Sequence, residues 1–248
     1  MDWSVVSDVS SVGVITGAGI SVESGIQSYR GQGGLYDDPV EGDRTVEALS
    51  GPTLQRDPDR TWRTVAKLAR QSAGAAPNPG HHALVAIEAA VESFVLLTQN
   101  VDGLHRMAGS KQVIDIHGDI FGTVCMGCGA TGRLTRDDYD TLDAAPRCPK
   151  CRHGTLRPDV VLFGEMLPQD KLDRLHRELM HRSPDVVIAV GTTAMFPYIQ
   201  APVYQARQAG RITIEINPEP TVLSDVVDHV VRATAGAALP QLAAALGA

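Results

Sequence analysis

The chain has 248 residues, 43% apolar, 4% aromatic and 21% charged, with a formal net charge of -7. These values fit an ordinary soluble globular protein and exclude wholesale disorder, a collagen-like repeat and a disulfide-dense miniprotein. The acidic balance argues against a nucleic-acid coat, no apolar run reaches the roughly 18 residues that span a bilayer, and Met1-Asp2-Trp3-Ser4 lacks the basic and apolar regions of a signal peptide, so a cytoplasmic location is expected.

The expected elements alternate along the chain. Val12-Gly13-Val14-Ile15-Thr16 reads as a buried strand that turns into the glycine-rich loop Gly17-Ala18-Gly19-Ile20-Ser21. Asn78-Pro79 has the form of an N-cap followed by proline at the first helical position, after which Ala83, Leu84, Ile87 and Val91 make one apolar stripe. Phe94 to Leu97 and Val113 to Ile116 read as further buried strands. Gln169 to Arg182 spaces Leu172, Leu175 and Leu179 as a helix does, and Val186 to Val190 is again strand. The end of a helix from Tyr204 to Ala209, a strand at Ile212 to Ile216 and an Ala- and Leu-rich helix from Ala237 to Leu246 complete the chain. Because aromatics are scarce, the core must be Val, Ile, Leu and Ala. The alternation predicts an α/β fold, a doubly wound parallel sheet interrupted from about Phe121 to Leu156 by an inserted module.

The four cysteines, Cys125-x2-Cys128 and Cys148-x2-Cys151, lie in that module. Each CxxC turn aims two sulfurs at one tetrahedral ion, so the spacing predicts a structural zinc site with no open position for water. Gly127, Gly129 and Gly154 are the glycines such knuckles use. The competing reading is buried thiols or two redox disulfides. A redox CxxC, however, comes as one pair near a strand-helix junction, not as two pairs bracketing a polar segment.

In an open parallel sheet the ligand crevice lies at the carboxyl ends of the strands. The sequence places there Gly17-Ala18-Gly19, Thr98 through His105, His117-Gly118, Gly191-Thr192-Thr193 and Asn217. Small and polar groups at five strand ends predict one polar crevice large enough for a dinucleotide. The first loop is not the G-x-G-x-x-G of hydride-transferring enzymes, because Val22 stands where the third glycine belongs. Backbone N–H groups at a helix start still suit a pyrophosphate, the alternative being a tight structural turn. His117 is either a satisfied structural imidazole or a general base whose ordinary pKa of about 6.5 suits neutral pH.

Together these segments resemble the sirtuin family of NAD-dependent protein deacylases. The resemblance rests on Gly17 through Ser21 with Ser24-Gly25-Ile26, on Tyr29-Arg30-Gly31 and Gly34-Leu35-Tyr36, and on Thr98-Gln99-Asn100-Val101-Asp102-Gly103-Leu104-His105. His117-Gly118, the cysteine pairs, Arg157 through Glu165, Gly191-Thr192-Thr193 and Ile216-Asn217 follow in family order. The resemblance implies a Rossmann-like NAD-binding domain, residues 1–120 and 157–248, and a zinc-binding small module, 121–156, to which residues 31–78 add a helical part. It implies NAD as co-substrate, held by Gly17, Ala18, Gly19, Ser28, Tyr29, Arg30, Gln99, Asn100, Asp102, Gly191, Thr192, Thr193, Asn217 and Ala235. An acyl-lysine protein or peptide would lie along Val161, Phe163, Gly164 and Glu165, and one structural zinc ion on Cys125, Cys128, Cys148 and Cys151. His117 would take a ribose hydroxyl proton while Asn100 and Asp102 orient the ribose and a water. The family's products are free lysine, nicotinamide and O-acyl-ADP-ribose. A monomer without nucleic-acid or membrane partners is expected.

Two departures bear on specificity. The family's Gly-Ile-Pro-Asp-Phe-Arg is here Gly25-Ile26-Gln27-Ser28-Tyr29-Arg30, which loses a proline and an acid and adds a hydroxyl to the ring that caps the ribose. The segment Gln32-Gly33-Gly34-Leu35-Tyr36 is similar to the branch that removes acidic acyl groups, yet that branch's Tyr-x-x-Arg pair falls on Val65 and Leu68, with Lys67 and Arg70 nearby. A neutral acyl tunnel extended by Phe163 is therefore expected. Protein mono-ADP-ribosylation and NAD hydrolysis are the competing outcomes on this scaffold. A non-enzymatic zinc-ribbon binder is the reading from another class; against it, residues 121–157 mix six Arg/Lys with four Asp and few aromatics.

Overall fold

The computed structural model describes residues 2–28, 38–72 and 74–248. The first half of the chain builds β1 (Ser11–Thr16), α1 (Pro39–Ala48), α2 (Gly51–Arg56), α3 (Pro58–Gln71), α4 (Pro79–Ala90), β2 (Ser93–Thr98), α5 (Leu104–Ala108), β3 (Val113–Asp115) and β4 (Gly118–Cys125). The second half builds β5 (Thr131–Arg133), α6 (Arg136–Asp140), β6 (Leu156–Val160), α7 (Gln169–Leu175), β7 (Val186–Val190), α8 (Pro197–Gln208), β8 (Ile212–Ile216), β9 (His229–Val231) and α9 (Ala235–Ala245). The large sheet runs β3-β2-β1-β7-β8-β9, with every pair parallel. Strand order therefore reverses between β1 and β7, which is where a doubly wound Rossmann-like sheet opens its ligand crevice.

Buried residues cover both faces of this sheet. Val12, Val14, Leu96, Ile188 and Ile214 pack under Leu84 and Ile87 of α4 and Leu239 and Leu242 of α9. Ile15, Leu97, Val187 and Ala189 point the other way, onto Leu175 of α7 and Ile199 and Val203 of α8. Burial on both faces explains why the central strands read as unbroken apolar runs. Asn78 caps α4 as expected, its side chain accepting from the N–H groups of Gly80 (2.9 Å) and His81 (3.4 Å).

A second sheet, β5-β4-β6, is antiparallel and reaches from Gly118 to Val160. Helix α3 lies on it: Trp62, Val65, Ala66 and Ala69 form one core with Cys125, Tyr139, Cys148 and Leu156, and the buried Trp62 indole N–H donates to the Leu156 carbonyl at 2.7 Å. No helix among the described residues is long and apolar enough to cross a membrane.

Several boundaries differ from the sequence reading. The expected helix from Gln169 to Arg182 is α-helical only to Leu175 and continues as a π-helical turn over His176–His181, which still carries Leu179 into the core. Strand β3 stops at Asp115 because Ile116-His117 turns the chain from the large sheet into the small one. Gly118 makes that turn possible: its φ is +94°, and a Cβ there would overlap the Asp159 carbonyl oxygen.

Candidate functional site

The loops after β1 and β7 meet backbone to backbone at the switch point. Gly17 N–H donates to Val190 O (3.2 Å) and Gly19 N–H to Gly191 O (2.8 Å). A Cβ on Gly19 would stand 2.7 Å from both the Cα and the carbonyl oxygen of Gly191, so only glycine allows this approach. Ala18–Ser24 continues as a 3₁₀ turn, pinned from behind by the Asn78 amide, which donates to Ile20 O (2.7 Å) and Ser24 Oγ (2.9 Å). The other strand ends are tied in by side chains. Gln99 Nε2 donates to Thr192 Oγ1 at 2.8 Å, and Asn217 Nδ2 to Thr192 O at 3.1 Å.

Asn100 is buried beneath this ring. Its Nδ2 donates to Gly17 O (3.1 Å) and Ser21 Oγ (3.2 Å), and its N–H to Thr98 Oγ1 (3.1 Å). Ser21 in turn donates to Asp102 at 2.7 Å, and Leu104 N–H donates to the same carboxylate at 2.9 Å. Burial pushes the Asp102 carboxyl above its ordinary range, against the two hydrogen bonds that pull it down.

His117 is half-buried at the turn between the sheets. Its Nδ1 lies 2.8 Å from the Gln99 carbonyl and its Nε2 lies 2.6 Å from the Tyr198 hydroxyl. A carbonyl only accepts, so Nδ1 carries the proton and Nε2 presents a lone pair. Burial lowers the His117 pKa, outweighing the Gln99 carbonyl that raises it, so the imidazole is neutral at pH near 7.

The loop after β6 leaves from the same turn, with Val161 N–H donating to His117 O at 2.9 Å. Phe163 forms a short parallel bridge to Ser50, its N–H donating to Leu49 O (2.9 Å) and its carbonyl accepting from Gly51 N–H (3.0 Å). Burial raises the Glu165 carboxyl less than Arg157, in a two-pronged pair at 2.8 and 2.7 Å, and the Leu162 N–H lower it. The Glu165 side chain thus braces its own loop.

The four cysteine sulfurs all lie within 4.8 Å of one another. The Cys125–Cys151 and Cys128–Cys148 separations are 3.7 and 3.8 Å, against roughly 3.8 Å for the edge of a tetrahedron with zinc–sulfur bonds of about 2.3 Å. Gly127 N–H donates to Cys125 Sγ and Gly154 N–H to Cys151 Sγ, each at 3.3 Å, which favours thiolate. The N–H groups of Gly154 and then His153 pull the Cys151 thiol down to about 6. Geometry and donor set fit a tetrahedral zinc ion.

The remaining expected residues divide. Ala235 is buried against Gly80 at the start of α9, Thr193 is exposed beside Thr192, and Ser28 is half-buried at the last position before a segment outside the described residues. Tyr29, Arg30 and Gly34-Leu35-Tyr36 belong to that segment. Ala18, Ser21, Asn100 and Asp102 line one cleft together with Leu68, Phe121 and Arg136 of the smaller part. Val65 is only 2% exposed and packs in the small core instead, while Arg70 turns away to donate to Tyr139 O at 2.6 Å. The sequence reading singled out neither Tyr198 nor Arg136 and gave Ser21 no role. Only Ser21 carried a signal, its place in the glycine-rich motif.

The Sir2 family profile matches residues 17–196, and a Pseudomonas aeruginosa protein described as NAD-dependent protein deacylase 2 is 46% identical over 92% of this chain and 90% of its own length. The chain belongs to the Sir2 family. A Pyrococcus furiosus NAD-dependent protein deacylase is 39% identical over 92% of the chain and 89% of its own. Among solved Sir2 structures, a mutant homologue in complex with ADP-ribose superposes with a TM-score of 0.89 at 34% identity, covering 100% of this chain and 97% of that one. A Sir2 homologue–NAD complex gives 0.85 at 34% identity, with 99% and 92% covered. Membership accounts for the strand order, the glycine contact at the switch point and the cysteine tetrad occurring in one Sir2 chain.

Proposed function

We propose that this Sir2-family chain is an NAD-dependent protein lysine deacylase, with an NAD-binding part of residues 1–120 and 157–248 and a smaller part of 121–156 joined by helices from 31–78. The observation that carries this reading is the His117 tautomer: a neutral imidazole with its Nδ1–H bonded to the carbonyl of Gln99, the residue before Asn100, and its Nε2 left as the proton acceptor. The glycine cradle and the polar set Gln99, Asn100, Asp102, Thr192 and Asn217 suit a ligand built of riboses and phosphates. When bound, NAD supplies a ribose carbon from which nicotinamide leaves and to which the acyl oxygen can bond.

The chain's own residues do the rest. Gly17, Ala18 and Gly19 approach the phosphates, Ser28 and Arg30 add to the cofactor contacts, and Tyr29 caps the ribose face once nicotinamide has left. Gly191, Thr192, Thr193, Asn217 and Ala235 hold the adenosine half. Asn100 and Asp102 orient the ribose that reacts, and His117 Nε2 receives its hydroxyl proton. Val161, Phe163, Gly164 and Glu165 form the segment along which an acyl-lysine peptide lies, and Ile26 and Phe121 keep water from the reacting carbon. A zinc ion on Cys125, Cys128, Cys148 and Cys151 holds the small part that carries Phe121. A cytoplasmic monomer acting on protein substrates completes the reading.

Mass spectrometry of NAD products with an acyl-lysine peptide tests it. O-acyl-ADP-ribose should form only when the acylated peptide is present; ADP-ribose without peptide, or ADP-ribosylated protein, would replace deacylation by hydrolysis or transfer. His117→Ala should lower kcat by about a hundredfold or more while NAD affinity changes by less than about threefold.

A further inference from the structure

The reactive nitrogen of His117 already has a partner. Because Nδ1–H is spent on the Gln99 carbonyl at 2.8 Å, the Tyr198 hydroxyl 2.6 Å from Nε2 must be the donor in that bond. Tyr198 is firmly placed. It sits in the first turn of α8 behind Pro197, whose fixed φ pre-sets the helix start, and its ring stacks on Phe196 at 5.5 Å and 16°. Both rings meet the His117 imidazole edge-on, at 6.2 Å for Tyr198 and 6.3 Å for Phe196, each at 83°. A hydroxyl of the substrate has two routes to Nε2. It can displace Tyr198 from this packed position, or it can bond to the Tyr198 oxygen, which still has lone pairs to accept with. The second route moves neither ring.

We propose that Tyr198 is a second catalytic residue, relaying the proton of the substrate hydroxyl to His117 Nε2. The proposal rests on His117 being the base. In the step, the substrate O–H bond breaks as its proton joins Tyr198 Oη, and the former Tyr198 O–H bond breaks as that proton joins Nε2. The substrate oxygen keeps the electron pair, the imidazole ends as the cation, and Tyr198 ends as it began, a neutral phenol. Burial pushes Tyr198 up to about 12, which disfavours a free phenolate and favours the paired exchange. The charge facing His117 is Lys171, whose ammonium bonds the Asp115 carboxylate at 3.0 Å and the Asp115 carbonyl at 2.7 Å, and which lowers the imidazole pKa further.

The test is Tyr198→Phe, which keeps the stacked ring and removes only the hydroxyl. With an acyl-lysine peptide, kcat should fall at least about tenfold while NAD affinity stays within about twofold. The acid limb of kcat/KM should also move to higher pH, because a donor to the neutral imidazole has been lost and protonation becomes easier. Unchanged kcat with an unmoved acid limb overturns the relay. So does a rise in kcat/KM, which would show that the hydroxyl merely obstructs Nε2, and so does a loss of kcat with the acid limb in place, which marks a packing effect. His117→Ala run alongside separates the two ideas. Turnover retained there removes the base and the relay with it; turnover lost there but kept in Tyr198→Phe removes the relay alone.

Discussion

Acidification from about pH 7 to about pH 5 should destabilise this fold through two buried imidazoles. His81 in the first turn of α4 and His105 in α5 are 0% and 3% exposed, with ring centroids 4.8 Å apart. His81 Nδ1 accepts from Asn78 N–H at 3.3 Å, and His105 Nε2 is bonded to Thr16 Oγ1 at 2.9 Å. Burial, with the His82 imidazole acting in the same direction on His81 and the His81 imidazole on His105, pushes His81 down to about 4 and His105 down to about 3. Both are neutral when folded, whereas in the unfolded chain they titrate near 6.5. The unfolded state therefore binds more protons between about pH 6.5 and pH 4, and stability must fall as the pH drops through that window. At about pH 5 the linkage amounts to about 2 kcal/mol for each imidazole, so about 4 kcal/mol together, a large part of the 5–15 kcal/mol typical of a whole domain. His117, also lowered by burial, adds in the same direction. Urea unfolding at the two pH values measures the loss, and imidazole NMR titration assigns it. Replacing both histidines by Asn should flatten the pH dependence even if it lowers stability near neutrality. A loss below about 1 kcal/mol, or either ring titrating near 6.5, would refute the reasoning.

Much of the fold was legible because buried parallel strands leave a simple record. Val186–Val190 and Ile212–Ile216 appear in the structure with the expected bounds: the first is a continuous aliphatic run covered on both faces, and the second keeps Ile at alternate positions with Thr213 and Glu215 buried between them. The Asn78-Pro79 start of α4 was legible for an equally local reason, a side-chain cap and a preset φ. What did not show was decided at longer range. Strand β9 has three residues, too few for any periodicity, and exists because it can pair with β8. Helix α3 lies on the zinc-side sheet through Trp62, a contact no window of sequence contains.

The candidate site divides in the same way. Groups carried on strand ends, from Gly17 through Gly19, Gln99 through Asp102, His117 and Gly191-Thr192, come together because the sheet topology alone aligns those ends. Tyr198 reaches His117 across 81 positions, and Arg136 reaches the cleft from between the two cysteine pairs. Neither has a motif, for its value lies only in what the other part of the chain places beside it.

Two outcomes concern that smaller part. Cys148→Ser should lose zinc and loosen the core that Cys148 shares with Trp62 and Tyr139, lowering both thermal stability and turnover; metal-free protein with full activity would refute this. The acyl preference follows from what lines the cleft. Of the two positions where a Tyr-x-x-Arg pair would stand, Val65 is in the small core and only Leu68 reaches the cleft. A succinyl carboxylate left unpaired among such side chains costs several kcal/mol, so acetyl-lysine should be removed at least about tenfold more efficiently than succinyl-lysine, a difference of about 1.4 kcal/mol. Among the described residues, the guanidinium that lines the cleft is Arg136 at the start of α6, and its Nη2 donates to the Ala75 carbonyl at 2.9 Å. That bond holds the cation against a neutral partner, and a carboxylate at the end of an acyl chain would have to draw it away. Matched acetyl and succinyl peptides, assayed by kcat/KM with wild type and Arg136→Met, decide the matter. A succinyl preference in the wild type that Arg136→Met abolishes would refute the neutral tunnel and place the carboxylate on Arg136.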